Sequence, residues 1–322
     1  MKVLVTGAGA LLGQGILRSL ARSELEPELV AVDPSPLSAG LYWVPRRHRI
    51  PMAVDPSYLE VLGSILEEER PDAVLIGTDV ELALLAEHRH ALEARYDTHI
   101  VVSSPEVVQI ADDKYATARF LIEHGFPAPA SCLPGGEEAL IEEIGFPLVV
   151  KPRVGARSVG VSVVHDRAAL AAAVAGLSDP VIQECVADAS AEYTAGTLTF
   201  DGVCEASIVM RRDLRDGNTY RAFAEPFPEL NAVVRRMAEA LGAYGPANFQ
   251  FRLDGDQVKV FEINGRFSGT TPLRRHAGFP EVELVLRRVL HGQPIEQPLL
   301  EPVVVLRHWS ETVVRPDELE RW

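Results

Sequence analysis

Over the first hundred residues the apolar positions come in short runs that alternate with helical patterns. KVLVT, ELVAVD, DAVLIGT and THIVVS are runs of strand length, whereas LLGQGILRSLAR, PSYLEVLGSILEEE and VELALLAEHRHALEAR repeat their apolar positions at the helical period. Strands that alternate with helices pair in parallel, because the helix carries the chain back to the edge where the next strand starts. The spacing predicts a doubly wound parallel sheet, whose ligands lie beyond the carboxyl ends of its strands. Those ends fall at residues 6–9, at Asp33 and Pro34, and at residues 77–81.

A helical pattern then runs from about Pro105 to Gly125, a residue suited to a helix end, and FPAPAS after it enforces an extended connection. FPLVVKP and GVSVVHD flank a glycine-containing turn, AALAAAVAGL reads as a helix and PVIQECV as a strand. From Ala191 the pattern changes to long antiparallel candidates, EYTAGTLTFDGVCEASIVMRR and PANFQFRLDGDQVKVFEING, the second with an Asp-Gly turn between alternating runs. Helical segments fall near residues 229–241 and 282–290, and VVVL near the C-terminus reads as an added edge strand or part of a homodimer contact. The expected class is therefore α/β and α+β, in three units: parallel α/β over residues 1–112, a small α+β module over 113–186 and a larger one over 187–322.

Composition narrows the partners. Of 322 residues 47% are apolar and 24% charged, as in an ordinary folded protein, but 46 acidic residues against 31 basic ones leave a formal charge of −15. Such a surface repels nucleic acid and anionic lipid, so any anionic ligand must be held by locally placed cations. Cys132, Cys185 and Cys204 are too few and too scattered for a disulfide framework or a metal cluster, and no apolar run approaches membrane-spanning length. The expectation is a protein of the reducing cytoplasm, neither secreted nor membrane-inserted.

GAGALLG places Gly7, Gly9 and Gly13 between a strand and a helix, with Asp33 about twenty residues further on, which reads either as a dinucleotide-binding turn or as the tight turn that any doubly wound sheet needs. In FPLVVKPRVGARSVGV a buried strand ends on Lys151, beside a loop with Gly155 and Gly160; this lysine can pair with phosphates under loop N–H groups or can be a solvated lysine of a surface hairpin. NFQFRLDGDQVKVFEINGRFSG sets Gln250 on one strand and Glu262 and Asn264 two apart, hence on one face, of its hairpin partner. Three oxygen-bearing side chains there suit a hard cation such as Mg2+, or are simply the polar face of a hairpin. Arg266 follows on the same side and can clamp a carboxylate or a transferring phosphoryl group. In GTDVEL, Thr78, Asp79 and Glu81 stand at a strand's carboxyl edge, able to bind a substrate ammonium, with Asp79 also suited to a helix N-cap. Arg211, Arg212, Arg221, Arg274 and Arg275 are candidates to hold a substrate carboxylate, and no Ser, Cys or His arrangement offers a nucleophile.

VVKPRVGARSVGV, VIQECV followed by Glu192, NFQF and VFEINGRFSGTTP, in this order and at these separations, resemble the ATP-grasp superfamily and within it the carbamoyl-phosphate-synthase-like branch. The resemblance spans nearly the whole chain. It implies a Rossmann-like pre-ATP-grasp domain followed by a two-module ATP-grasp fold, and an ADP-forming ligase that activates a small carboxylic acid as an acyl phosphate for attack by an amine. ATP and Mg2+ are the implied cofactors, with Mn2+ as the substitute ion. Residue by residue, Lys114 resembles the first phosphate-contacting basic residue and Lys151 the second; Ser158, with Arg157 beside it, falls in the lid over the phosphates. Gln183, Glu184 and Val186 resemble the segment that meets the adenine edge, and Glu192 the acid on the ribose hydroxyls. Gln250, Glu262 and Asn264 match the magnesium ligands, and Arg266 the arginine that steadies the acyl phosphate; Asp79, Glu81, Arg211 and Arg274 are taken as substrate contacts. Two other readings stand beside this one, a nicotinamide-dependent oxidoreductase using the N-terminal glycine turn and a non-catalytic ATP sensor.

Overall fold

The computed structural model describes residues 1–155, 159–186 and 191–319. Lys2–Val5 (β1), Glu28–Asp33 (β2), Arg46–Arg49 (β3), Ala73–Leu75 (β4) and His99–Val101 (β5) form a sheet in the order β3-β2-β1-β4-β5 with every neighbouring pair parallel. Along β1 the side chains alternate between two cores: Val3 and Val5 pack with Ile16 and Leu17 of helix Leu11–Leu20, and Leu4 packs with Leu62 and Leu66 of helix Tyr58–Glu69. Burial on both faces explains the near-continuous apolar runs. The strand β3, RRHR, has no such run and goes unnoticed in the sequence. It forms at a sheet edge, where Glu69, 3% exposed, accepts from Arg46 and His48 of β3 and from Lys2 of β1.

The helical pattern expected from about Pro105 to Gly125 is two helices, Pro105–Asp112 and Lys114–Glu123, because Asp113 takes an extended conformation between them. Its carboxylate accepts from the N–H groups of Tyr115 and Ala116, an N-cap that makes Lys114 the first residue of the second helix. Ser131–Cys132 (β6), Leu148–Pro152 (β7), Ser162–Val164 (β8) and Pro180–Glu184 (β9) then form a small antiparallel sheet in the order β6-β9-β7-β8.

Glu192–Phe200 (β10), Val203–Arg215 (β11), Asn218–Ala224 (β12), Gly245–Asp254 (β13), Gln257–Asn264 (β14) and Val303–Leu306 (β15) make the large antiparallel sheet, ordered β14-β13-β10-β11-β12-β15. VVVL is thus an added edge strand, paired with β12. The period of two sorts this sheet. Ala247, Phe249 and Phe251 of β13 pack with Val234, Met237 and Leu241 of helix Pro228–Leu241, which leaves Asn248, Gln250 and Arg252 on the opposite face. A core shared by Ile16 and Leu20, Ile208 and Met210, and Phe279, Val282 and Val285 joins the parallel sheet's first helix to the large sheet. Among the described residues no helix is long and apolar enough to cross a membrane.

Candidate active site

A cavity of about 300 Å³ lies between the small and the large antiparallel sheets, and the parallel sheet closes one end of it through Ala10, Leu11, Leu12, Thr78 and Asp79. Lys151 reaches it from β7. Its ammonium donates to Gln183 Oε1 at 2.7 Å and to the Phe261 carbonyl at 3.4 Å. Only 6% of the residue is exposed, and burial, with Lys114 nearby, pulls its pKa down to about 8. Lys114, placed by the Asp113 cap, donates to the carbonyls of Gly155 at 2.7 Å and Arg153 at 3.4 Å. Both ammonium groups are therefore held by neutral oxygens, and neither has a carboxylate partner among the described residues. Two buried, unpaired cations on one cavity are a site for an anion.

The facing wall is built by β13 and β14. Gln250 lies opposite Glu262 and Asn248 opposite Asn264; the register then slips by one residue, which turns Phe261 to the cavity. Glu262 Oε1 accepts from Gln250 Nε2 at 3.2 Å and from Asn264 Nδ2 at 3.1 Å. The amide oxygens are held from outside, that of Gln250 by Arg212 and that of Asn264 by Arg266 at 2.9 Å. A carboxylate and two carboxamides around one point are a hard oxygen donor set that fits Mg2+, with the amides turning their oxygens inward about their last, soft torsion.

Glu192 stands toward the other end of the cavity, its two oxygens taken by Arg212 at 2.6 Å and Arg252 at 3.1 Å. Gln183, besides accepting from Lys151, donates to Ser131 Oγ. The Glu184 carboxylate is tied to the Ala130 N–H and to Lys259, and the Val186 carbonyl accepts from Arg252. All three line the cavity where the small sheet leads into the large one. Ser158 and Arg157 lie outside the described residues.

Several expected contacts sit elsewhere. Arg211 faces away from the cavity and stacks over the Phe223 ring at 3.7 Å, while its neighbour Arg212, 8% exposed, points in. Alternation made one of the two certain to face the site, and only the sheet pairing decides which. Arg274 does not line the cavity: it is 1% exposed and paired with Glu281. Glu81 is buried in the parallel sheet's own core, accepting from Thr6 and from Tyr58. Asp79 neither caps a helix through its side chain nor stands free, since its carboxylate accepts from Arg266 Nε at 2.6 Å on the cavity rim. Asn248 and Arg252, polar positions of the same strand face, are lining residues that the sequence reading passed over.

The glycine turn is filled by the chain itself. The Asp33 carboxylate accepts from the N–H groups of Gly9 and Ser35 and from Ser38 Oγ, which ties it into the turn. A Cβ on Gly13 would come within 2.2 Å of the Gly7 carbonyl oxygen, so that glycine answers a packing need of the turn.

Known proteins resemble this chain in sequence and in fold. A family described as ATP-grasp in the biosynthetic pathway with Ter operon matches residues 188–312, and the PylC-like N-terminal domain family matches residues 3–101. The chain thus carries an ATP-grasp domain behind a PylC-like N-terminal domain. It is 28% identical over 218 residues to the carbamoyl phosphate synthase large chain of Streptomyces coelicolor, an alignment that covers 62% of this chain and 20% of that one. The chain thus spans a fifth of the length of that relative. Its fold is that of N5-carboxyaminoimidazole synthetase from Staphylococcus aureus in complex with ADP, with a TM-score of 0.74 at 17% identity over 95% of this chain and 81% of the other. It is also that of an L-amino acid ligase from Bacillus licheniformis, with a TM-score of 0.69 at 21% identity over 92% and 75% of the two chains. The parallel sheet is the PylC-like part, and the wall of β13 and β14 falls inside the ATP-grasp match.

Proposed function

We propose that the chain is an ADP-forming carboxylate-amine ligase, which uses ATP and Mg2+ to activate a small carboxylic acid, foremost an amino acid, as an acyl phosphate. The observation that carries this reading is the pair of unpaired buried cations, Lys114 and Lys151, across the cavity from Glu262 with its two carboxamides. Lys151 and Lys114 bind the ATP phosphates, and Glu262, Gln250 and Asn264 hold the ion. When bound, Mg2+ neutralises phosphate charge, a task Mn2+ can also perform. The acid's carboxylate oxygen attacks the γ-phosphorus; the new O–P bond forms as the bond to the bridging oxygen of ADP breaks. Arg266, already on the rim beside Asn264, stabilises the charge on the transferring oxygens. An amine then adds at the acyl carbon, phosphate leaves with its oxygen, and the amine's surplus proton goes to solvent.

The low net positive balance of the cavity suits that task. Lys114, Lys151, Arg212, Arg252 and Arg266 face Asp79, Glu184, Glu192 and Glu262 in a chain whose overall charge is −15. The three free cysteines suit a reducing cytoplasm, and Val304 and Leu306, exposed on the edge strand β15, suit a homodimer contact. The test is an ADP-release screen with amino acids and small carboxylates, singly and in pairs, run on the wild type and on Glu262→Ala. The expected result is amine-dependent ADP release in the wild type and none in the folded variant; full turnover by Glu262→Ala removes the metal assignment. Saturable NADH binding without ATP binding reverses the reading altogether.

A further inference from the structure

Along the cavity face of β13 the side chains follow in the order Arg252, Gln250, Asn248, at two-residue steps of about 6.6 Å. Arg252 holds Glu192, Gln250 belongs to the metal-type cluster, and Asn248 lies beyond that cluster, opposite Asn264. Asn248 is 1% exposed and still lines the cavity. Its Oδ1 accepts from Arg274 Nη2 and from Thr194 Oγ1. A guanidinium can only donate, so the atom facing Arg274 is the oxygen, and Nδ2 turns the other way. Among the described residues nothing accepts from Nδ2.

Arg274 is built in from behind. Its other nitrogen, Nη1, donates to both oxygens of Glu281, itself 1% exposed, which neutralises the charge inside the protein. Room for the guanidinium comes from Gly196, which pairs with Asn248 across β10 and β13: a Cβ there would come within 2.3 Å of Arg274 Nη1. An arginine with its charge already matched and its body outside the cavity is poorly placed to attract an anion. It is well placed to orient a neighbour.

We infer that Arg274 is a positioning residue for the acid substrate, fixing the Asn248 carboxamide so that Nδ2 offers a hydrogen bond to a carboxylate oxygen of the acid. The inference rests on the ligase reading above and adds to it the group that recognises the acid. It places the acid beyond the metal cluster, on the side of the cavity that Thr78 and Asp79 close.

The decisive variant is Asn248→Asp. It keeps the acceptor that Arg274 and Thr194 use and turns the donor facing the cavity into a negatively charged acceptor, which repels a carboxylate where the amide would bind it. Thermal shifts are measured with Mg2+ and the non-hydrolysable β,γ-imido analogue of ATP, then with a mixture of the twenty common amino acids added. The expected result is a shift with the analogue in both proteins and a further shift with the amino acids in the wild type alone. With the amino acid that responds, ADP release then shows KM raised at least tenfold in Asn248→Asp and KM for ATP unchanged. Gly196→Ala, which displaces the guanidinium without touching the cavity, and Arg274→Met raise the same KM. A further amino-acid shift of wild-type size in Asn248→Asp overturns the inference while leaving the ligase reading intact. No shift with the analogue in the wild type overturns the ligase reading itself, and no further shift with amino acids in the wild type removes the acid site proposed here.

Discussion

Arg266 and Asp79 form an ion pair across the cavity rim, Nε to Oδ1 at 2.6 Å, that links the end of the large sheet to the loop after β4 of the parallel sheet. The same guanidinium donates to Asn264 Oδ1 and to the Phe267 carbonyl, so its plane is set by three acceptors at once. A lysine cannot reproduce that fork. Arg266→Lys is expected to lower kcat by on the order of 10²–10³ with little change in ATP affinity. Asp79→Asn, which keeps an acceptor at Oδ1, changes kcat less than about tenfold, because the plane of the fork survives. Steady-state kinetics on the two variants checks this, and a wild-type kcat in Arg266→Lys removes that residue from the chemistry.

Lys151 gives the nucleotide site a pH dependence. Burial holds its pKa near 8, so the ammonium that meets phosphate is lost as pH rises through that value. Nucleotide affinity is expected to be flat up to about pH 8 and to fall above it, approaching tenfold per pH unit. Calorimetric titration with ADP between pH 6.5 and 9.5 reads this directly, and Lys151→Met should weaken binding and flatten the slope. Stability moves the other way. With the folded pKa below the unfolded one, the unfolded chain binds more protons between about pH 8 and 10.5, so this residue's opposition to folding is full at neutral pH and fades as pH rises.

Glu81 provides a contrasting case outside the cavity. Burial pushes its pKa up to about 7, against the hydrogen bonds from Thr6 and Tyr58. The folded chain then binds the extra proton between about pH 4.5 and 7, so stability contributed by this carboxyl is present below 4.5 and lost as pH rises through 7. Glu81→Gln, neutral at every pH, is expected to melt above the wild type at pH 8.5 by an amount worth on the order of 1 kcal/mol, with the gap closing by pH 5. KM for ATP stays unchanged. Melting curves at the two pH values decide it.

The glycine turn predicts a difference between two like substitutions. A Cβ on Gly13 meets the backbone oxygen of Gly7 at 2.2 Å, whereas one on Gly9 meets the Ser38 hydroxyl at the same distance. A side chain can rotate aside and a backbone cannot. Gly13→Ala should therefore cost about 2–4 kcal/mol in denaturant unfolding and Gly9→Ala distinctly less. Equal losses would mean that the turn is not held as described.

Much of the fold can be read from periodicity. The four apolar runs of the parallel sheet, the Asp-Gly hairpin of β13 and β14, and the placement of Glu262 and Asn264 on one face are all properties of short stretches, and the structure shows each. The strand β3 escaped because its residues are RRHR: pairing with β2 and a buried Glu69, both remote in sequence, make it a strand. The long helix expected after Pro105 failed on one residue, Asp113, whose cap competes with helix continuation.

By itself the sequence determined the chemistry on offer: the two lysines, the oxygen-bearing trio and the arginine after it. These are local patterns, set by the alternation of strands and by which residue types can bear charge or bind metal. Only the tertiary structure decided which of the cations are free to act. Lys114 and Lys151 meet neutral oxygens, Arg274 meets Glu281, Arg211 meets an aromatic ring, and Arg212 turns inward to Glu192 and Gln250. The charge of a side chain is written in the sequence, but its availability depends on partners brought close by folding, and burial makes those partners decisive.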